Sequence, residues 1–234
     1  MEIELKEKPK KNPIIIEGFP GFGLVSTIAT EFLINHLGAK QIGRIVSDKI
    51  SPIVAIHKGE VIEPFGIFYS SKENLLIVRA IAPTAGLEWE LTEILTKLAK
   101  EVKAKEIVSL EGIGSDGKPP EPEAFYYSTE KSKIAKFKSL KIRKLDEGVI
   151  VGVTASLLTQ MPQTTFIFAE AYSELPDSRA AAKVVEVLDQ YLKLKVDYKP
   201  LLKKAEVFER KIREILTKGM AAAKAKEKKE TYFG

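Results

Sequence analysis

The start of the chain combines an apolar strand, a glycine-rich turn and a helix. Residues 13–16 form an apolar, β-branched run, GFPGFG follows at residues 18–23, and apolar side chains recur at helical spacing over residues 24–37. Gly38 then closes the helix. A strand that is apolar at consecutive positions is buried on both faces, so it belongs inside a sheet that helices cover on both sides. This unit limits the chain to α/β folds.

The same alternation of strands and helices continues along the chain. Strand-like runs are predicted at residues 53–56, 65–69, 75–80, 107–110, 124–127, 148–153 and 165–169. Amphipathic helices are predicted at residues 87–102 and from the capping residue Asp177 to Tyr191, whereas the basic segment 131–145 is either an irregular connection or a short helix and strand. We expect an α/β fold, a three-layer α/β/α sandwich with a mainly parallel central sheet, over residues 1–195.

A different pattern begins after residue 195 and predicts a C-terminal helical extension over residues 196–234. Apolar residues recur there at heptad-like spacing, at Leu201, Ala205, Phe208, Ile212 and Ile215. The apolar stripe is narrow and charged residues surround it, which favours a helix that packs on a sister subunit or a partner. We expect its own domain to cover this stripe only in part.

The last three residues, Tyr232, Phe233 and Gly234, follow a small and charged segment at residues 221–230. Two aromatic rings beside a free carboxylate supply both buried area and a charged hydrogen-bond acceptor to a partner's pocket. The alternative is a frayed end without a role. We predict that these three residues bind a partner.

Composition excludes several classes of chemistry and of partner. The chain has no Cys, so it has no disulfide, thiolate zinc site or Cys nucleophile. The net charge of +5 is concentrated in residues 193–230, a basic helix without interleaved stacking aromatics, which predicts a solvated face and no nucleic-acid partner. No apolar run approaches the roughly 20 residues that cross a bilayer, so we expect a cytoplasmic protein with no membrane partner. Richness in Lys, Glu and Ile is typical of thermophile proteins.

The motifs that resemble catalytic sites are each better explained as turns. The GFPGFG loop lacks the order of the dinucleotide fingerprint and the Lys of a P-loop, and Phe19 and Phe22 fill it. Glu111 and Asp116 lie at the predicted end of a strand and are candidates for acid, base or metal ligand, but two separated His residues do not make a metal cluster. Ser156 lacks a nucleophile elbow.

We therefore predict no catalytic residue, no cofactor and no metal site. The glycines at residues 18–23 and 112–117 are expected to shape loops. The carboxylates of Glu17 and Glu111 are expected to accept hydrogen bonds from nearby backbone N–H groups.

Four segments in order resemble the proteasome assembly chaperones, and in particular their archaeal homologues. They are EGFPGFGLVSTIATEFLINHLGAKQIG from Glu17, EGIGS from Glu111, GVTASLL from Gly152 and PDSRAAAKVVEVLDQYL from Pro176. The resemblance implies a non-catalytic α/β/α sandwich, similar to nucleoside phosphorylase folds, that forms homo-oligomers and acts on proteasome subunits. The implied partners are the 20S proteasome or its α-subunits, further copies of this chain, and a related chaperone subunit.

The resemblance also gives the tail a specific interpretation. Archaeal members typically end in a hydrophobic residue, a tyrosine and a final residue, the tail that proteasome activators insert between α-subunits of the 20S ring. Tyr232 takes the hydrophobic place, Phe233 the tyrosine place and Gly234 the last place. Phe233 departs from the pattern because it lacks the hydroxyl group.

Two alternatives stay open at this point. One is an ATP-dependent carboxylate-amine ligase, which needs a nucleotide pocket and carboxylates for magnesium. The other is an oligomeric scaffold that binds a related protein rather than the proteasome. Turnover of ATP tests the first alternative, and deletion of the last three residues tests the second.

Overall fold

Nine strands form one sheet that helices cover on both faces. The computed structural model describes residues 1–50, 53–57, 59–115, 121–172 and 175–203, together with 214, 217 and 218. The strands are β1 (Glu2–Leu5), β2 (Ile14–Gly18), β3 (Lys40–Val46), β4 (Ala55–His57), β5 (Glu60–Ile62), β6 (Phe65–Ser70), β7 (Leu75–Ala80), β8 (Glu106–Gly114), β9 (Ala124–Tyr127), β10 (Arg143–Lys144) and β11 (Thr165–Ala171). The helices are α1 (Val25–His36), α2 (Glu88–Glu101), α3 (Lys131–Ser139), α4 (Gly152–Gln160) and α5 (Ser178–Leu192).

The strand order is β1-β3-β6-β7-β2-β8-β11-β9-β10. The four central strands, β7, β2, β8 and β11, are parallel to one another. On either side of them the pairing becomes antiparallel, between β7 and β6 and between β11 and β9. The predicted α/β/α sandwich is confirmed, with a parallel centre and mixed edges.

Two apolar cores lie on opposite faces of this sheet, because successive side chains of a strand point to opposite sides. In β2, Ile16 packs on the face of α1 and α5, whereas Ile15 packs on the face of α2 and α4. On the first face Phe137 of α3 stacks between Tyr126 and Tyr191. On the second face α2 buries the apolar stripe that the sequence predicts, Leu91, Ile94, Leu95 and Leu98.

The predicted cap of α5 is confirmed. The side chain of Asp177 accepts hydrogen bonds from the backbone N–H groups of Arg179 and Ala180, at 3.0 Å each. Such a cap satisfies donors that the first turn of a helix leaves without a partner. Asp177 thereby fixes where α5, the element that follows β11 in the chain, begins.

Two strand predictions were wrong in part. Residues 148–151 are irregular rather than a strand, and α4 begins at Gly152, whose φ of +74° turns the chain into the helix. The apolar residues are split between two environments there, since Val149 is 90% exposed while Val153 and Leu157 are buried at helical spacing. Of the run predicted at residues 53–56, residues 55 and 56 lie in β4, which among the described residues pairs with β5 in a separate two-stranded sheet.

The ambiguous basic segment 131–145 resolves into α3 and the short strand β10. The edge strand β1 and its neighbour β3 were not predicted at all. β3 alternates irregularly because its register with β6 shifts between Gln41 and Gly43.

Leu201 corrects the expectation of an open stripe on the C-terminal extension. Its side chain is 5% exposed and packs in the same core as Val196 and Leu194, on the face of α5, whereas Leu202 is 47% exposed. The chain turns at Tyr198, whose carbonyl accepts a hydrogen bond from the N–H of Leu201, and this turn directs Leu201 onto its own domain. The other members of the predicted stripe, Phe208, Ile212 and Ile215, lie outside the described residues.

Candidate functional site

The glycine-rich loop, residues 18–23, lies at the carboxyl ends of the central parallel strands, where open α/β sheets bind their ligands. It leads from β2 into α1 through a short 3-10 turn at Phe22–Leu24. Phe19 is buried in this loop and packs edge-on against Phe65, with ring centroids 5.8 Å apart. The loop folds inward over β8 instead of leaving an open cradle.

Two glycines allow this close approach. A Cβ atom on Gly21 would stand 2.1 Å from Oε1 of Glu111, and a Cβ atom on Gly112 would stand 2.2 Å from the carbonyl oxygen of Phe22. Both distances are far below a van der Waals contact, so neither position accepts a side chain without movement of the loop. The expectation that these glycines shape the loops is confirmed at Gly21 and Gly112.

Glu111 connects the loop to the sheet. Its Oε1 accepts hydrogen bonds from the backbone N–H groups of Phe22, at 3.1 Å, and Gly112, at 2.8 Å. Its Oε2 accepts a hydrogen bond from the hydroxyl of Thr154 in α4, at 2.9 Å. One carboxyl group therefore joins β8, the glycine-rich loop and α4.

Glu17 makes the corresponding contacts from β2. Its Oε1 accepts from the backbone N–H of Phe19, at 2.7 Å, and its Oε2 accepts from the hydroxyl of Ser109, at 2.5 Å. The hydroxyl oxygens of Ser109 and Thr154 are 3.3 Å apart, so they connect the two carboxyl groups. The predicted backbone hydrogen bonds of Glu17 and Glu111 are confirmed.

Both carboxyl groups are deeply buried, with Glu17 1% and Glu111 6% exposed. Burial raises the pKa of Glu17 to about 7, although the hydrogen bonds from Ser109 and Phe19 partly oppose it. Burial raises the pKa of Glu111 to about 8, and repulsion from Glu17 adds to that rise. The two groups titrate as a coupled pair near neutral pH.

The side chains of this cluster bind one another and the loop. In the described part of the chain, one depression of about 800 Å³ lies beside β10 and one of about 350 Å³ lies beside β3, and neither is lined by Glu17 or Glu111. Within the described ranges, no three His, Cys, Asp or Glu side chains are grouped to hold a metal ion. The chemistry that the cluster supports is proton binding and attachment of the loop.

The other sequence candidates are not brought into this cluster. Ser156 is 3% exposed on α4, and its hydroxyl has no hydrogen-bond partner in the described part of the chain. Asp116 lies outside the described residues, as do Tyr232, Phe233 and Gly234.

Sequence reasoning missed Ser109 and Thr154. Ser109 was detectable, because it lies two positions before Glu111 in a strand and therefore shares its face. Thr154 had no local signal, since its partner Glu111 is 43 residues away in sequence.

A family model described as the PAC2 family matches residues 15–216, which include the glycine-rich loop and both carboxylates. The chain belongs to the PAC2 family. The match runs from β2 through α5 of this PAC2 protein and extends into the C-terminal segment.

Solved structures support the same assignment. This PAC2 chain is 31% identical to Pyrococcus furiosus PbaA, described as an archaeal homolog of proteasome-assembly chaperone, with a TM-score of 0.84, and the match covers 95% of this chain and 100% of that one. It is 25% identical to Pyrococcus furiosus PbaB, described as an archaeal proteasome activator, with a TM-score of 0.75 over 92% of this chain and 98% of that one. This chain therefore has a PbaA-like PAC2 fold.

A curated relative gives a similar likeness. An uncharacterised protein of Methanocaldococcus jannaschii is 32% identical over 209 residues, which are 88% of this chain and 86% of the relative. In the part of this PAC2 chain that the structure describes, no helix is long and apolar enough to cross a membrane.

Proposed function

We propose that this PAC2 protein is a non-catalytic, cytoplasmic homo-oligomer that binds the 20S proteasome or its α-subunits as an assembly chaperone or activator-like protein. The likeness to PbaA over 95% of the chain carries this proposal. The archaeal activator PbaB, which is similar over 92% of the chain, supports the activator-like form of it.

The closed geometry of the glycine-rich loop favours a non-catalytic role. Enzymes with open α/β sheets bind substrate at the carboxyl ends of the strands. Here Phe19 and Gly21 occupy that position. The carboxyl groups of Glu17 and Glu111 accept hydrogen bonds from the loop and from α4. The carboxylates thus serve to hold the fold, and the proposed activity is protein binding.

Exposed apolar side chains support self-association of the body. Val54, Ile56 and Val61, on or next to the β4–β5 hairpin, are 58%, 73% and 56% exposed. Leaving such surface in water costs about 25 cal/mol per Å², and projecting apolar patches are typical of interaction surfaces. We assign this hairpin to contact with a second copy of the chain, in addition to the helical stripe of Phe208, Ile212 and Ile215.

The tail is the proposed proteasome contact. Tyr232 and Phe233 would enter a pocket of the 20S α-ring, with the carboxylate of Gly234 as the charged acceptor. A single tail buries little surface and loses conformational entropy on binding, so each tail binds weakly. Several tails on one oligomer raise the overall affinity by roughly 10²–10⁴ when they bind together.

The decisive experiment is a pull-down of 20S particles and of free α-subunits with the intact protein and with a variant that lacks residues 232–234. Capture that depends on the tail supports the proposal. Equal capture of a different protein with and without the tail would favour the scaffold alternative.

A further inference from the structure

The buried chain formed by Glu17, Ser109, Thr154 and Glu111 has more contacts than it has hydroxyl hydrogens. Three oxygen–oxygen contacts join it, at 2.5 Å between Glu17 and Ser109, 3.3 Å between Ser109 and Thr154, and 2.9 Å between Thr154 and Glu111. Each hydroxyl group carries a single hydrogen, so the two hydroxyls fill only two of these contacts. The third contact becomes a hydrogen bond only when one of the carboxyl groups carries a hydrogen, because its hydroxyl partner is then able to donate to the other hydroxyl.

The charged groups near Glu17 and Glu111 also favour one proton and one negative charge on this pair. Glu17, Ser109 and Glu111 lie on the face of α2 and α4, and α4 has no charged residue between Gly152 and Gln160. Toward this face α2 buries Leu91, Thr92 and Leu95, and it carries its charges elsewhere. Among the described residues, a second buried negative charge would therefore have backbone and hydroxyl dipoles but no cation to stabilise it.

Other charged groups of the neighbouring strands are directed away or occupied. Arg79 of β7 lies on the opposite face and pairs with Glu31 of α1. Glu106, at the other end of β8, binds Lys133, Thr165 and Tyr191. Glu170 of β11 shares the face of Glu111 and accepts a hydrogen bond from the N–H of Glu123. Of these groups only Glu170 shares the face of the pair, and its charge is also negative.

We propose that Glu17 and Glu111 hold one shared proton along this chain, and that this proton keeps the glycine-rich loop attached to the sheet. When the proton is present, the chain carries a single negative charge and every contact has a hydrogen. When it is lost, two buried carboxylates repel each other and Glu111 gains from reaching water.

The glycine-rich loop must move before Glu111 is able to reach water. Gly21 covers Glu111 so closely that even a Cβ atom there would stand 2.1 Å from the carboxylate, and Phe22 donates its backbone N–H to the same oxygen. Glu111 cannot become hydrated while Gly21 and Phe22 stay in place. Loss of the proton is therefore coupled to release of the loop, and the raised pKa values of both groups place this event just above neutral pH.

Infrared spectroscopy tests the shared proton directly. The carbonyl band of a protonated carboxylic acid should be present in the wild-type protein at about pH 6 and absent at about pH 9, since ordinary Glu and Asp side chains are ionised throughout that range. In E17Q and in E111Q the band should titrate at a lower pH than in the wild-type protein, because the remaining carboxyl group no longer faces a second negative charge. The matched control E170Q changes a carboxylate on the same face that is not part of the chain, so it should keep the band.

Amide hydrogen exchange tests the loop. After correction for the intrinsic rate, exchange in the peptide that contains residues 18–23 should accelerate by up to about tenfold per pH unit above the titration, while α5 stays protected. In E17Q and E111Q the loop should stay protected at about pH 9, because no second charge forms.

The proposal is overturned if the wild-type protein shows no protonated-acid band at about pH 6, or if the band titrates in E17Q and in E111Q at the same pH as in the wild-type protein. It is also overturned if exchange of the loop does not depend on pH. The wild-type pH series decides the question even where a variant fails to fold.

Discussion

Gly21 and Glu111 approach each other so closely that Gly21 has no space for a Cβ atom, which would stand 2.1 Å from Oε1 of Glu111. The two residues belong to segments 90 positions apart in sequence, the glycine-rich loop and β8. This contact lies at the edge of the sheet at which α/β enzymes bind their substrates.

The first prediction concerns the space at Gly21. The substitution G21A should lower the free energy of unfolding by about 1–3 kcal/mol, because the loop or Glu111 must move to accept the methyl group. The matched control is G114A, since a Cβ atom at Gly114 in β8 would meet nothing closer than 3.6 Å. Urea denaturation of both variants measures the difference, and equal losses would contradict the contact.

The second prediction is that stability falls as the pH rises. The folded pKa values of Glu17 and Glu111, about 7 and about 8, lie above the ordinary value of 4.5, so the folded state binds protons more tightly than the unfolded state. This contribution is fully present below pH 4.5 and is lost as the pH rises through 7 and 8. Between about pH 5.5 and about pH 9 the loss should be on the order of a few kcal/mol.

Thermal unfolding at a series of pH values measures this loss. In E111Q the melting temperature should depend less on pH over the same range, because the variant has one titrating group fewer in the pair. A wild-type melting temperature that rises toward pH 9 would contradict the account.

The third prediction concerns the pair of Arg79 and Glu31. Arg79 is 3% exposed, burial lowers its pKa to about 10, and it pairs with Glu31 and lies over the ring of Phe68. Removal of Glu31 in E31A should cost about 3–5 kcal/mol, because it leaves a buried cation. R79M should cost much less, since methionine fills similar space without a charge. Chemical denaturation tests the asymmetry, and equal effects of the two substitutions would contradict it.

The fourth prediction concerns self-association. The intact protein should be larger than a monomer in light scattering at micromolar concentration. I56K, which places a charge on the exposed β4–β5 hairpin, should shift the population toward smaller species, because a lysine loses hydration in an apolar interface. V149K is the matched control, since Val149 is 90% exposed and lies on a different segment. A monodisperse wild-type monomer would exclude the homo-oligomer.

The central strands could be predicted from the sequence, whereas the edges could not. The strands β2, β7 and β11 are buried on both faces, and their sequences are therefore nearly continuous apolar runs. β1 is an edge strand and β3 lies next to it, and both carry charged residues that face water, so they lack that signal. Residues 148–153 misled the pattern because Val149 and Val151 are apolar yet exposed.

In the candidate site, only the contacts between residues close in sequence could be predicted. The hydrogen bond of Glu17 to Phe19 spans two residues, and the glycines that allow the turn are visible in the sequence. The contacts of Glu111 with Phe22 and Thr154 span 89 and 43 residues, so they depend on which strands become neighbours. Strand order is set by packing of the whole sheet, which no short motif encodes.

The central claim is that the protein binds the proteasome through its C-terminal tail. Surface plasmon resonance on immobilised 20S particles should detect binding of the intact oligomer and lose it on deletion of Tyr232, Phe233 and Gly234. An extension after Gly234 should have the same effect, because it removes the terminal carboxylate from the pocket. F233Y should strengthen binding by adding a hydroxyl that donates a hydrogen bond. Equal binding of the intact and tail-deleted proteins would contradict the claim.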